Sequence, residues 1–60
     1  MKKRYIDIKG LSEYISVPVN TIRWWTWQRQ IPFRKFGRLI RFDLEEIEQW
    51  SRNKTIDVMK

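Results

Sequence analysis

No disulfide or zinc site can hold this chain together, because its 60 residues include neither cysteine nor histidine. A chain this short without cross-links needs an efficient core. Four Trp, three Phe and two Tyr residues supply it, since each ring buries more apolar area than an aliphatic side chain. The same absences exclude thiol nucleophiles and imidazole bases. We therefore expect one domain over residues 1–60, with an ordered core over about 5–52, and no catalytic residue, metal or cofactor.

Positive charge is concentrated in the middle of the sequence. The formal net charge is +6 at pH 7. Residues 14–42 contain six cations and no acid, whereas residues 43–50 contain four acids and no cation. A solvated surface usually mixes the two signs, so this separation favours a polyanionic partner, with double-stranded DNA as the first candidate.

Nothing in the sequence predicts a targeting signal or a membrane span. The basic N-terminus is followed by Tyr5-Ile6-Asp7-Ile8, which contains no unbroken apolar run. No stretch is long enough to cross a bilayer. We therefore expect a cytoplasmic protein with no membrane partner and no small-molecule substrate, and we expect fraying up to about Arg4 and after about Arg52.

Two short helical patterns separated by a proline predict a helix-turn-helix. Asp7 is a favourable N-cap for the first helix, and Gly10 inside it permits close packing at a small cost in helix propensity. The apolar residues of this helix recur at the spacing of one face, and they are Ile8, Leu11, Tyr14 and Ile15. Pro18 cannot continue this helix but suits the start of the next one.

The second helix is predicted from about Pro18 to Arg29, and its two faces differ in chemistry. With Ile22 taken as the inward reference and a rotation of about 100° per residue, the residues that fall on the core side are Pro18, Trp25, Thr26 and Arg29. The residues on the opposite side are polar, cationic or aromatic, and they are Asn20, Arg23, Trp24 and Trp27. The second helix of such a pair is the candidate DNA reader.

The segment after Ile31-Pro32 alternates as two strands around a glycine and predicts a wing. A two-residue turn, Gly37-Arg38, would leave Phe36 and Ile40 on opposite faces. A three-residue loop, Gly37-Arg38-Leu39, places Phe36, Ile40 and Phe42 on one face. We prefer the longer loop because it buries all three side chains.

A third helix is predicted to begin at Asp43, which can act as its N-cap. Glu46 follows three residues later and completes a capping box. Leu44, Ile47 and Trp50 form the inward stripe. The acids of this helix lie mostly in its first turns, where they favour the helix dipole, and their sign keeps the helix away from DNA.

In this order the segments resemble the excisionase-like branch of the MerR-type winged helix-turn-helix superfamily. The resemblance covers most of the chain and rests on Tyr5 to Ile15, Val17 to Trp25, Gln28 to Pro32, Lys35 to Arg38 and Arg41 to Trp50. It implies a mainly α fold with a small β-hairpin, a second helix that binds the major groove, and a wing in the adjacent minor groove. Members act as recombination directionality factors, which bend DNA and help an integrase excise a mobile element, or as small prophage-type transcriptional regulators.

Two positions depart from the family pattern. The family often has Gly where Arg29 stands and Ser where Pro18 stands. An Arg in a left-handed cap costs roughly 1 to 2 kcal/mol, so we expect the second helix to extend or to end differently.

Asn20 and Arg23 are the candidate base-reading residues of the second helix. Asn suits adenine and Arg suits guanine, through bidentate hydrogen bonds in the major groove. The alternative is that Asn20 satisfies backbone groups of the turn and that Arg23 contacts phosphate alone.

The wing supplies the remaining cationic candidates. Arg38 at its tip is expected to contact the minor groove or a phosphate. In the preferred register Lys35 and Arg41 point outward together and act as phosphate contacts, and Arg34 is a weaker candidate.

The four tryptophans divide into two pairs. Trp25 and Trp50 take inward positions and are predicted to be core. Trp24 and Trp27 lie on the outward arc of the second helix. Either they contact DNA sugars and thymine methyls or another protein, or one of them folds back beneath the wing.

The function expected from the sequence is sequence-specific binding of double-stranded DNA, in an excisionase-like role. A small transcriptional regulator is the alternative, and a module that binds an acidic protein through Trp24, Trp27 and the basic patch is a remoter one. One chain of this size contacts about one half-site, so an integrase or a second copy of the chain is a candidate partner.

Overall fold

The computed structural model describes residues 4–54, and within them the chain forms three helices and a three-stranded antiparallel sheet. In chain order the elements are β1 (Tyr5–Ile6), α1 (Ile8–Ile15), α2 (Val19–Trp27), β2 (Arg34–Phe36), β3 (Leu39–Asp43) and α3 (Leu44–Arg52). The predicted mainly α fold with a hairpin wing is confirmed. None of these helices is long and apolar enough to cross a membrane.

Both ends of α1 are capped, and the cap at its C-terminal end makes the turn to α2 tight. At its start the Asp7 carboxylate accepts a hydrogen bond of 2.8 Å from the Gly10 amide, as expected for an N-cap. At its end Ser16 adopts a left-handed conformation with φ of 57°. The Val17 amide then donates to the Ser12 carbonyl at 3.1 Å, and the Ser12 hydroxyl donates to the Val17 carbonyl at 2.6 Å. This arrangement turns the chain sharply into α2.

The second helix ends at Trp27, two residues before the predicted boundary. It ends in a left-handed cap, although the presence of Arg29 predicts a different helix end. Arg29 has φ of 58°. The Gln30 amide donates to the Trp25 carbonyl at 2.8 Å, and the Arg29 amide donates to the Thr26 carbonyl at 3.1 Å. These two bonds define a Schellman motif, which satisfies the last carbonyls of the helix. The expectation that Arg29 would avoid this conformation is therefore wrong.

The hairpin has a different register from the one predicted. Phe36 pairs with Leu39 and Lys35 pairs with Ile40, so the connection is the two-residue turn Gly37-Arg38. Gly37 has φ of 64° and Arg38 has no positive φ, which is the pattern of a type II′ turn with Gly at its first central position.

The preferred three-residue loop is therefore wrong, and the reason is visible in the packing of Phe36. This ring is 49% exposed and packs edge-to-face on Tyr5, with ring centroids 5.5 Å apart. Ile40 and Phe42 pack on the core from the opposite face of the sheet. The register also separates Lys35 from Arg41, because Lys35 pairs with Ile40 and Arg41 pairs with Arg34.

A short strand at the N-terminal end adds a third member to the predicted two-stranded wing. Ile6 pairs with Phe42 and Tyr5 pairs with Asp43, which makes β3 the central strand. Ahead of this strand, the Arg4 carbonyl accepts from the Leu44 amide at 2.8 Å. The fraying expected up to about Arg4 stays a prediction, and residues 1–3 lie outside the described residues.

Asp43 ends β3 and also caps α3. Its side chain is fully buried, accepts from the Glu45 amide at 2.9 Å, and receives two hydrogen bonds from the Arg4 guanidinium at 3.1 and 3.0 Å. The predicted capping box forms only in part, because the Glu46 carboxylate instead accepts a 2.6 Å hydrogen bond from Arg34. The cap predicted at Asp43 is confirmed, whereas the role predicted for Glu46 is wrong.

A two-residue turn, Asn53-Lys54, follows the C-terminal end of α3. The Asn53 amide donates to the Trp50 carbonyl at 3.1 Å, and the Lys54 amide donates to the Ser51 carbonyl at 3.0 Å. The fraying expected after about Arg52 stays a prediction. Residues 55–60 lie outside the described part of the chain.

The core lies where α1, α2 and α3 meet the inner face of β3. Its fully or nearly fully buried apolar side chains are Leu11, Ile22, Ile31, Phe42 and Ile47. Trp25 and Trp50 pack against this cluster and against each other, with centroids 5.5 Å apart, as predicted. Tyr14 is instead half-exposed, and its hydroxyl donates a 2.6 Å hydrogen bond to the Glu48 carboxylate.

Candidate nucleic-acid interface

A groove of about 720 Å³ separates α2 from the hairpin. Six residues that the sequence singled out line this groove, and they are Asn20, Arg23, Trp24, Trp27, Arg38 and Arg41. The first four come from α2 and the last two from the hairpin. The fold thus brings together two sets of candidates that are separated in sequence by the helix end and a strand.

The phase of α2 explains why its four candidates face the groove. Ile22 is fully buried and Trp25 packs on the core, which fixes the rotation of the helix. Asn20 and Arg23 are consequently exposed on the other side. Asn20 lies in the first turn of α2 and Arg23 at its midpoint, and the N-terminal part of such a helix is the part that approaches base edges in helix-turn-helix complexes.

Trp24 and Trp27 form an exposed indole pair beside these polar residues. Their rings meet edge-to-face with centroids 5.8 Å apart. Trp24 remains 53% exposed and Trp27 remains 76% exposed. The possibility that one of them folds back and is buried beneath the wing is therefore wrong, because neither ring is enclosed.

The hairpin side of the groove is formed by its tip and by β3. The type II′ turn places Arg38 at the tip, exposed and next to the open Gly37. Arg41 is partly buried, and its guanidinium donates to the Ile40 carbonyl at 2.7 Å. This bond holds the Arg41 side chain close to its own strand while the charge remains at the groove.

Charge is divided between two separate depressions of the surface. Arg23, Arg38 and Arg41 line the groove, and Asp7 is the acidic residue among its lining side chains. The glutamates of α3 line a different depression together with Arg4 and Arg52. A polyanion that approaches the groove therefore meets three cations, while the acidic helix lies elsewhere.

Two predicted contact residues, Arg34 and Lys35, are not among the residues that line the groove. Arg34 forms an ion pair with Glu46 on α3, with a shortest N–O distance of 2.6 Å. The hydrogen bond to Glu46 and then its negative charge raise the pKa of Arg34. Lys35 is exposed on the outer strand of the hairpin. To contact a phosphate, Arg34 would have to share its guanidinium between the phosphate and Glu46 or break its ion pair with Glu46.

Sequence reasoning missed several apolar residues of the groove. Ile8, Leu39 and Ile40 line it beside the two indoles. The three-residue loop places Leu39 in the loop and Ile40 in the core alone, and the observed register contradicts that loop. With the two-residue turn, Leu39 is the first residue of β3 and is expected to be exposed near the tip of the hairpin.

Within residues 4–54, no group of three or more acidic side chains has the arrangement of a metal site. The site consists instead of a helix presented on a compact turn, with cations and apolar rings facing a hairpin. These features define a DNA-binding helix-turn-helix domain.

Comparison with known proteins assigns the chain to a family. Residues 5–55 match the family described as "Helix-turn-helix domain", and the chain belongs to this family. The match extends from β1 to just past α3, so it includes both the helix pair and the hairpin. Searches of curated proteins and of solved structures gave no significant match.

Proposed function

We propose that this domain binds double-stranded DNA in a sequence-specific manner, with α2 in the major groove and the hairpin in the adjacent minor groove. Asn20 and Arg23 would contact base edges, and Arg38 would contact the minor groove or its phosphates. Lys35 and Arg41 would contact phosphate, and Arg34 would add a weaker contact.

The observation that carries this proposal is the groove between α2 and the hairpin. It combines base-reading side chain types on a helix with an arginine on a hairpin tip, and its lining carries a net positive charge. Asn and Arg are suited to bidentate contacts with purines, and Arg is attracted to the negative potential of a narrow A·T-rich minor groove.

For the biological role we propose an excisionase-like recombination directionality factor of a mobile element. The resemblance of the sequence segments to that branch supports this role, and a DNA-binding helix-turn-helix architecture is compatible with it. A small transcriptional regulator would use the same surface, since fold alone does not choose a role. DNA bending in a phasing assay and cooperative binding with an integrase are expected for the excisionase role. Specific binding without either property would favour the regulator.

Selection of preferred sites from a random duplex pool at physiological salt tests the DNA-binding proposal. We expect a short enriched motif. The Arg23→Ala variant should relax base preference at one position, whereas Arg38→Ala should weaken binding with less change in preference. Arg52→Ala is a matched control, because Arg52 is an exposed cation on α3 outside the groove.

Two outcomes would contradict the proposal. The first is an unenriched pool. The second is equal loss of affinity for cognate and random duplexes in both groove variants, which would remove α2 as the reading helix.

A further inference from the structure

The apolar part of the groove has a chemistry that phosphate binding does not require. Trp24 and Trp27 are largely exposed, and Leu39 on the hairpin is 56% exposed. Ile8 and Ile40 complete this apolar lining. Exposed apolar patches on a small protein usually mark a binding surface, and the arginines of the same groove match an anionic partner.

The stripe on α2 has the length of a short run of base pairs. Asn20, Arg23, Trp24 and Trp27 follow one another at helical spacing and lie on one exposed face. Seven residues of α-helix rise about 10 Å, which corresponds to about three base steps of B-DNA. The first half of the stripe carries groups that hydrogen-bond to purines, and the second half carries the two indoles.

In the major groove an indole face has one distinctive apolar target. Phosphates and most base-edge atoms are polar, whereas the C5-methyl group of thymine is apolar and projects into the major groove. The edge-to-face contact between Trp24 and Trp27 favours this arrangement of the two rings, which lowers the side-chain entropy that binding has to remove.

We infer that Trp24 and Trp27 form a reader of C5-methylated pyrimidines, thymine above all, at the end of the site contacted by the C-terminal half of α2. This inference rests on the proposed insertion of α2 into the major groove. It assigns to the indole pair a contribution to specificity, beyond general contact with DNA.

The test exchanges thymidine for deoxyuridine in the duplex. Deoxyuridine pairs with adenine as thymidine does and leaves the minor-groove edge unchanged, so it removes only the major-groove methyl. Sites are first selected from the random pool, and each thymine of the enriched duplex is then replaced singly. Affinities are measured for the unmodified chain, Trp24→Ala, Trp27→Ala and the double variant.

We expect at least one thymine whose replacement weakens binding by the unmodified chain about fourfold, the factor for burial of one methyl-sized group. The penalty should disappear in the variant that lacks the tryptophan in contact with that methyl, and it should also disappear in the double variant. A C·G pair placed at the same position should bind more tightly when its cytosine carries a 5-methyl group. Phe36→Ala is the matched control, since Phe36 is a half-exposed aromatic outside the groove lining and should keep the full penalty.

The outcomes separate this inference from the proposed function. Specific selection of a duplex with no loss on any thymine-to-deoxyuridine exchange overturns the inference and leaves DNA binding intact. A penalty that persists in the double variant also overturns it, because another residue then senses the methyl. Failure to enrich any duplex overturns the proposed function and, with it, the inference.

Discussion

At the scale of single residues, neighbouring tryptophans on α2 have opposite environments. Trp25 packs on the core and on the Trp50 ring, whereas Trp24 and Trp27 lie in the groove. Trp25→Ala should therefore cost roughly 3 kcal/mol of unfolding free energy, a large share of the total for so small a domain. Trp24→Ala and Trp27→Ala should each cost much less. Thermal unfolding of the three variants checks this ranking, and equal destabilisation by Trp24→Ala and Trp25→Ala would contradict it.

Arg29 offers a second test at this scale, because it holds a left-handed conformation that glycine adopts without strain. Arg29→Gly should raise the free energy of unfolding by up to about 1 kcal/mol. Gln28→Gly is the matched control one residue earlier, where the backbone is right-handed and glycine should destabilise. Chemical denaturation of both variants measures the effect. A loss of stability in Arg29→Gly would show that the arginine side chain contributes more than its backbone strain costs.

The residue scale is also where sequence reasoning succeeded in part. The phase of α2 was predictable because Ile22 and Trp25 differ sharply in polarity from Asn20 and Arg23 at the same helical periodicity. The cap residues Asp7 and Asp43 were predictable because each stands directly before the first apolar residue of a helical periodicity. The pairing of Arg34 with Glu46 was not predictable. The local sequence indicates a capping role for Glu46, and nothing near Glu46 in the sequence indicates that Arg34 on β2 lies within reach of its carboxylate.

At the scale of elements, the Arg4–Asp43 pair links the segment before β1 to the start of α3. The hydrogen bonds from Arg4, and then the amide of Glu45 and the guanidinium charge, lower the pKa of Asp43 against the opposing effect of burial. A carboxyl with a lowered pKa in the folded state stabilises the fold above its unfolded pKa, and that stabilisation is lost as the pH falls through the folded value.

Arg4→Gln should therefore lower the free energy of unfolding at neutral pH. When the solution is acidified, this variant should lose less unfolding free energy than the unmodified chain. The two unfolding free energies should converge at acid pH, once Asp43 is protonated in the folded state of both chains. Denaturant titrations across this pH range measure the difference, with Arg52→Gln as a control that should follow the unmodified chain. A difference that stays constant down to acid pH would show that Arg4 acts by packing alone.

The hairpin shows why element pairing was harder to predict than element type. The alternating pattern identified two strands and a glycine turn. Burial of Phe36 favours the longer loop, but in the structure that ring packs on Tyr5 on the other face of the sheet. A two-residue strand such as β1 has too short a pattern to be recognised, so its contribution to the sheet was invisible in the sequence.

At the scale of the whole molecule, the separation of charge determines how binding should respond to salt. Arg23, Lys35, Arg38 and Arg41 are partly or fully exposed, whereas Arg34 already has a partner. Release of about four counterions predicts a slope of roughly −4 in a plot of log affinity against log salt concentration. Binding isotherms over about 50 to 300 mM salt measure it, and a slope shallower than about −1 would remove the electrostatic part of the proposal.

The absence of any linker between β3 and α3 limits how the length of this chain can change. Asp43 belongs to the strand and caps the helix, so one inserted residue there would turn strand side chains to the wrong face and displace the cap. At the hairpin tip the space around Gly37 is open, with no heavy atom within 4 Å of a Cβ built there. We therefore expect divergent relatives to differ in the length and charge of the tip and to keep the strand-to-helix junction at fixed length. Tips exchanged between such relatives would alter minor-groove contacts while the remaining scaffold stays the same.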